Sequence, residues 1–331
     1  GTDAYGIFAI TSVVAGYLGF LNGPVAMGNV RFLAEAYAHE NWADFRRTAY
    51  VGIAFNGALS MLGGLVMFLA SGWLAGDVFA ISAPQIRSSI TAFRLAAVSF
   101  VLNGANGAVQ SIPTAMRRYD ILNLGNLSLG SLNTVLIVLA LWRGWGLQGA
   151  LAAQVFSSAS GLALFIIIAW RLLRGFPGAR PSPPSLAFIK RLASFSSLLF
   201  AGNLASQIGL LIDRTIVGIL LSTSAMAYYT VPTKITDKIP GMMLMFCTAL
   251  YPLSSEAVAT GQIGELRNLY HDMIRRLLWL SALFATPLIV LSKDLLALWI
   301  GPDFAVNSWF VLSILAASII WRSTGSVAYQ I

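Results

Sequence analysis

Cysteine and histidine are almost missing from this chain. The single cysteine, Cys247, lies in an apolar run, so no internal disulfide framework and no cysteine-ligated metal site can form. The two histidines, His39 and His271, fall in polar loops, where they are poor candidates for an intramembrane metal or proton site. Charge is also scarce. Only 10% of residues are charged, and acidic residues number 13 against 21 basic ones. Neither a phosphate-binding glycine loop nor a nucleophile elbow occurs, and the apolar runs hold no histidine and no paired carboxylates. These absences argue against an ATP-driven machine and against a membrane-embedded glycan polymerase, ligase or acyltransferase. They point to no catalytic residue, no metal and no cofactor.

What the chain has is apolar length. Apolar residues make up 57% of it, far above a soluble domain. A membrane span needs about 20 mostly apolar residues. Nine runs qualify, at 5–30, 48–72, 88–112, 121–141, 147–170, 192–220, 225–253, 274–292 and 306–328. None alternates as a barrel strand does, so all nine are predicted to be helices. The stretch 174–191 contains Pro177, Pro181, Pro183 and Pro184, which cannot continue a helix. It reads as a cytoplasmic linker between an N-terminal bundle over 1–173 and a C-terminal bundle over 192–331.

The formal charge of +8 would suggest nucleic acid in a soluble protein. Here it reports topology instead. One set of alternate loops carries 13 basic residues, among them Arg31, Arg46, Arg47, Arg117, Arg118, Arg174 and Arg276; the other set carries only Arg87, Arg143 and Lys293. The positive-inside rule places the first set in the cytoplasm, and a multi-pass protein of the plasma (inner) membrane is expected. Residue 1 then starts outside without a preceding span, so terminal helices are expected to be missing at both ends.

A weak internal repeat is present. At a shift of 221 residues, Glu35, Ala36, Ala38, Asp44 and Arg46 meet Glu256, Ala257, Ala259, Glu265 and Arg267. At a shift of 226, Trp73 and Asp77 meet Trp299 and Asp303. Both copies cross the membrane in the same direction, as in transporters made of two like-oriented halves.

The remaining signal is charge inside the spans. Arg94, Arg214, Lys234, Lys238 and Arg322 lie well inside the runs, deeper than the Arg275–Arg276 pair at the loop edge of 274–292, with only Asp213 and Asp237 as counter-charges. A charge in the bilayer costs at least ~2.5–3.5 kcal/mol, so such residues line a protein interior or a wet cavity. An excess of cations suits an anionic cargo such as pyrophosphate, gripped by arginine forks and lysine point charges. The competing reading is structural, with Asp213 and Asp237 neutralising Arg214 and Lys234 and with Lys238 or Arg322 reaching the interface. If 192–220 and 225–253 form a hairpin, Arg214 lies roughly 12 Å and Lys234 roughly 17 Å below its turn, at 1.5 Å per residue. An Asp213–Lys234 pair then becomes geometrically feasible. On one continuous helix Lys234, Asp237 and Lys238 would share a face.

Polar residues without charge are less specific. Gly23 and Pro24 predict a kink in the first span and a candidate hinge. Asn103-Gly-Ala-Asn-Gly107 offers small residues and amides for close helix contact. Asn123, Asn126, Asn133, Asn203 and Gln207 suit either sugar hydroxyls or neighbouring helices.

Three stretches carry a family resemblance. The first comprises Asp3-Ala-Tyr-Gly-Ile-Phe8, Tyr17-Leu-Gly-Phe-Leu21 and Arg31-Phe-Leu-Ala-Glu35. The second comprises Ile212-Asp-Arg-Thr-Ile-Val-Gly218, Ala227-Tyr-Tyr229 and Tyr251-Pro-Leu-Ser254, and the third is Leu298-Trp-Ile-Gly-Pro-Asp-Phe304. Together they resemble the Wzx-type O-antigen and polysaccharide flippases of the multidrug/oligosaccharidyl-lipid/polysaccharide (MOP) superfamily. The resemblance implies an all-α polytopic membrane protein of two like-oriented helix bundles around a central cavity, here as a fragment lacking terminal helices. It implies alternating-access transfer of a polyprenyl-pyrophosphate glycan to the outer leaflet for O-antigen or lipopolysaccharide synthesis, with polysaccharide polymerase or export proteins as partners. A lipid II-type flippase and an ion-coupled multidrug exporter of the same superfamily are the alternatives. The exporter usually carries cations, for which a carboxylate-rich lumen would be expected.

Overall fold

The computed structural model describes residues 2–175, 211–248 and 263–330, with isolated positions between 194 and 209 and without the side chains of a few of these residues. Among the described residues every regular element is a helix. In lipid each backbone polar group must be satisfied within its own segment, and long apolar runs with few breakers achieve this as helices. In chain order α1 is Thr2–Ala38, α2 Trp42–Leu69, α3 the single turn Ser71–Trp73, α4 Ala83–Ala115, α5 Tyr119–Trp142 and α6 Gly146–Arg174. Then come α7 over 211–220, α8 Thr223–Thr236, α9 Lys238–Thr248, α10 Ile263–Val290, α11 Ser292–Trp299 and α12 Pro302–Gln330. Among the described residues six helices are long and apolar enough to cross a membrane: α2, α4, α5, α6, and the stretches Tyr270–Val290 and Pro302–Arg322. The bent helix α1 makes a seventh. The linker from 176, the repeat residues Glu256–Ala259, and Asn203 and Gln207 lie outside the described residues, as does the side chain of Cys247.

The chain divides by compactness near Thr223 into a first unit, through α7, and a second unit from α8 onward. In the first unit α4 packs against α2 and α6, and α5 lies along α6. One end of this bundle closes on a core of Leu33, Phe45, Val109, Ile112, Leu122 and Phe165, drawn from five helices. Gly125 admits the Phe165 ring, because a Cβ there would come within 2.8 Å of it. Arg46 lies at the same end and donates to the Leu173 carbonyl at 2.9 Å, near the α6 C-terminus where a cation is favoured. The Arg174 guanidinium sits 3.6 Å from the centroid of Trp170. The opposite end carries the α5–α6 turn, in which Gly144 and Gly146 take φ of 76° and 57°, a region closed to most residues. Trp142 and Trp145 flank this turn with 79% and 64% of their surface exposed, as side chains that sit at a membrane interface.

Part of the first unit's helix order recurs in the second. Helix α2 begins at Trp42 and α10 at Ile263, 221 residues later, and both are 28 residues long. Each is followed by a short element and then another long helix: α3 with a π-turn at Leu74–Val78 before α4, and α11 before α12. The offset in helix boundaries equals the sequence shift that aligns Glu35 with Glu256. Helix α12 packs on α9, α10 and α11, around Ile239, Met243, Leu277, Ala316 and Ile319.

Proline shapes both units. Pro24 has no N–H for the Phe20 carbonyl, and its ring crowds that carbonyl. The segments Thr2–Gly19 and Asn22–Ala38 accordingly meet at 43°. The continuous span expected over 225–253 is two helices, separated at Asp237. Pro240 explains the break, since it cannot donate to Thr236. Pro232 likewise withdraws the donor for Tyr228, whose carbonyl instead accepts from Ser308 Oγ of α12 at 2.6 Å.

Candidate functional site: charges held within the spans

The charges fall into two groups, one in each unit. In the first unit α7 docks on α1 through residues at helical spacing. Leu211 meets Gly16, Thr215 Oγ1 bonds to Tyr17 Oη at 2.7 Å, and Gly218 leaves room for Phe79. Arg214 lies on the edge of that face and is half-buried. Its backbone N–H donates to Asp213 Oδ1 at 2.7 Å, so Asp213 spends an oxygen on its own helix. Asp213 and Lys234 belong to different units, and their pairing stays a proposal.

Arg94 is held by α2 and its exit. Its Nε donates to Ser71 Oγ at 3.4 Å, and its guanidinium stands 5.0 Å from the centroid of Phe68. The second unit has a matching contact, in which Ser313 Oγ donates to Ser292 Oγ at 3.0 Å. Ser71 and Ser292 are both buried, at 1% and 2% exposure, and both open the short element between the long helices. Arg94 therefore occupies the place of a packing contact that both units use.

In the second unit Asp237 sits at the break between α8 and α9. It pairs with Arg322 of α12 at 3.2 Å, and the two side chains are 33% and 41% exposed. The arginine expected to reach the interface is thus bound to the aspartate expected to neutralise Lys234. Lys234 ends α8 and Lys238 opens α9, both exposed. Because the helix breaks between them, the single shared face expected for Lys234, Asp237 and Lys238 is not a face of one continuous helix.

The bend in α1 is surrounded by uncharged polar groups. Asn56 Nδ2 donates to the Asn22 carbonyl at 3.2 Å, and Ser60 Oγ reaches Asn22 Oδ1 at 3.1 Å. Gly104 of α4 abuts both Ser60 and Asn22, so a side chain there would collide with them. Pro24 is buried and Gly23 half-buried beside this network. Asn56 and Ser60 carry no motif, and only their spacing of four, on one face of α2, marks them in the sequence.

Comparison with known proteins gives the family and the fold. A sequence model of a family described as polysaccharide biosynthesis protein matches residues 1–258. The chain belongs to that family. A putative O-antigen transporter from Shigella flexneri is 19% identical over 334 residues, covering 100% of this chain and 77% of the relative. Among solved structures, an inward-facing multidrug resistance MATE family transporter of the MOP superfamily superposes with a TM-score of 0.80 at 13% identity, over 100% of this chain and 79% of the other. A MATE protein in a bent conformation gives 0.58 at 14% identity, over 99% and 79%. This member of the polysaccharide biosynthesis family therefore shares its all-α fold with these MATE proteins, and six of its described helices are long and apolar enough to cross a membrane. The all-α bundle expected from the apolar runs is the fold these neighbours share. Among the described residues no cluster of His, Cys, Asp and Glu could hold a metal ion.

Proposed function

We propose that the protein is a flippase that moves a polyprenyl-pyrophosphate-linked oligosaccharide from the inner to the outer leaflet of the plasma membrane by alternating access. The observation that carries the proposal is the charge balance deep within the apolar runs, five cations against Asp213 and Asp237. Asp237 pairs with Arg322, and even with both aspartates paired the five cations leave three positive charges in excess. A pyrophosphate passing these side chains would offset charge that is costly to hold in lipid. The putative O-antigen transporter among the relatives supports the same cargo class. In this reading the bundles 1–173 and 192–331 are the rocking halves, Gly23–Pro24 is a bending point, the basic loops face the cytoplasm, and polymerase or export proteins receive the glycan.

Arg214, Lys234 and Lys238 are the proposed cargo contacts. Arg94 and Arg322, bonded to Ser71 and Asp237, contribute positive potential from the wall. A multidrug exporter with the same fold needs carboxylates for cationic cargo, and the balance here runs the other way. Replacing exposed Lys234 by alanine is expected to lower transport while leaving the amount of protein in the membrane unchanged. Equal loss of both would show the lysine to be structural.

A further inference from the structure

A second polar site lies within the first unit, away from the charges. A cavity of about 250 Å³ opens among α4, α5 and α6. Asn103 and Asn106 approach from α4, Asn126 and Asn133 from α5, and Gln154 and Ser157 from α6. Each set follows helical spacing, so three polar stripes face one another. The lining includes five carboxamides, two serines and no ionisable group. The Oδ1 atoms of Asn106 and Asn133 are buried and have no hydrogen-bond partner among the described residues. A buried acceptor left in that condition is destabilising, because its lost water is not replaced. Helix packing alone would favour mutual bonds, as Gln110 and Asn126 make beside the cavity at 3.3 Å.

We propose that this cavity is a subsite for one uncharged pyranose unit of the glycan. The proposal rests on the flippase reading and names a part of its cargo. Without charge the lining selects neither pyrophosphate nor a cationic drug. Carboxamides and serines both donate and accept, which matches the alternating donors and acceptors of sugar hydroxyls. The orphan oxygens require donors, and hydroxyls supply them. The volume lies below the roughly 300–1,000 Å³ of drug-sized sites, and so suits one ring rather than an extended molecule. No aromatic side chain lines the cavity, so affinity for a free sugar would be low and carried by hydrogen bonds.

Gly130 permits a clean test. It lines the cavity, and a Cβ added there meets nothing within 4 Å. Gly130→Leu would fill the space while replacing glycine with a better helix former, so α5 is not weakened. The probes are methyl glucopyranoside and methyl N-acetylglucosaminide, added to the purified chain in detergent and read by saturation-transfer NMR, with inorganic pyrophosphate in a parallel titration. Saturation of at least one glycoside is expected in the wild type. It should fall about tenfold or more in Gly130→Leu and in Asn133→Leu, as the loss of one or two hydrogen bonds implies, and persist in Lys234→Ala. A wild type that saturates neither glycoside, holding water only, would overturn the proposal, as would equal signals in all four proteins. Leaflet assays of the same variants separate the two ideas. Flipping without glycoside binding removes the subsite and keeps the flippase, whereas glycoside binding without flipping does the reverse.

Discussion

Ser308 is predicted to exist for the sake of Pro232. The proline removes the N–H that would bond to Tyr228, one turn earlier, and Ser308 Oγ takes its place at 2.6 Å. Ser308 is fully buried, so water cannot substitute for the hydroxyl. Ser308→Ala should therefore leave a buried carbonyl without a donor and cost about 1–3 kcal/mol. Pro232→Ala restores the missing N–H, which can close the helical bond to Tyr228 again. In that background Ser308→Ala should cost far less. The double-mutant cycle is expected to show a coupling of about 1–2 kcal/mol, measured by equilibrium unfolding of the purified protein in mixed micelles. The sign of the Pro232→Ala effect alone is immaterial, since loss of a buried ring opposes the gain in helix propensity. Additivity of the two substitutions within about 0.5 kcal/mol would refute the reasoning.

The Asp237–Arg322 pair is partly exposed, so Asp237→Asn should cost no more than about 1 kcal/mol in the same unfolding assay. An exchange of the two charges, Asp237→Arg with Arg322→Asp, should recover most of any loss, and failure to do so would show that the pair is incidental. Gly104→Val should destabilise by about 1–3 kcal/mol through collision with Ser60 and Asn22, visible as reduced membrane level, whereas Gly107→Val, where a Cβ meets open space, should be tolerated. Lys234→Ala should change stability by less than about 0.5 kcal/mol, because the side chain is exposed, while transport falls.

Much of the fold was legible because lipid leaves few choices. Each of the six membrane-length helices falls on an apolar run, and the α10 boundaries follow α2 at the spacing that aligns Glu35 with Glu256. Pro24 marked the bend in α1. Pro232 and Pro240 were equally visible, yet α8 and α9 were expected as one helix. A proline in a span is tolerated when a neighbour satisfies the freed carbonyl, and no local pattern tells which neighbour does. For Tyr228 the donor comes from Ser308, 80 residues away. The same distance in sequence hid the partners of the charges. Arg322 lies 85 residues from Asp237, and Ser71 lies 23 from Arg94. The stripes at Asn103, Asn126 and Gln154 could be counted on their own helices, but a cavity appears only when α4, α5 and α6 are known to be neighbours.

The most direct test of the account follows the cargo. In a strain lacking this protein but retaining early glycan synthesis, polyprenyl-pyrophosphate-linked glycan would be assigned to the inner or outer leaflet. The account predicts accumulation in the inner leaflet, relieved by the wild-type protein and not by Lys234→Ala or Arg214→Ala expressed at the same level. Normal outer-leaflet glycan together with altered sensitivity to cationic drugs would contradict it, and the basic residues within the spans would then be structural.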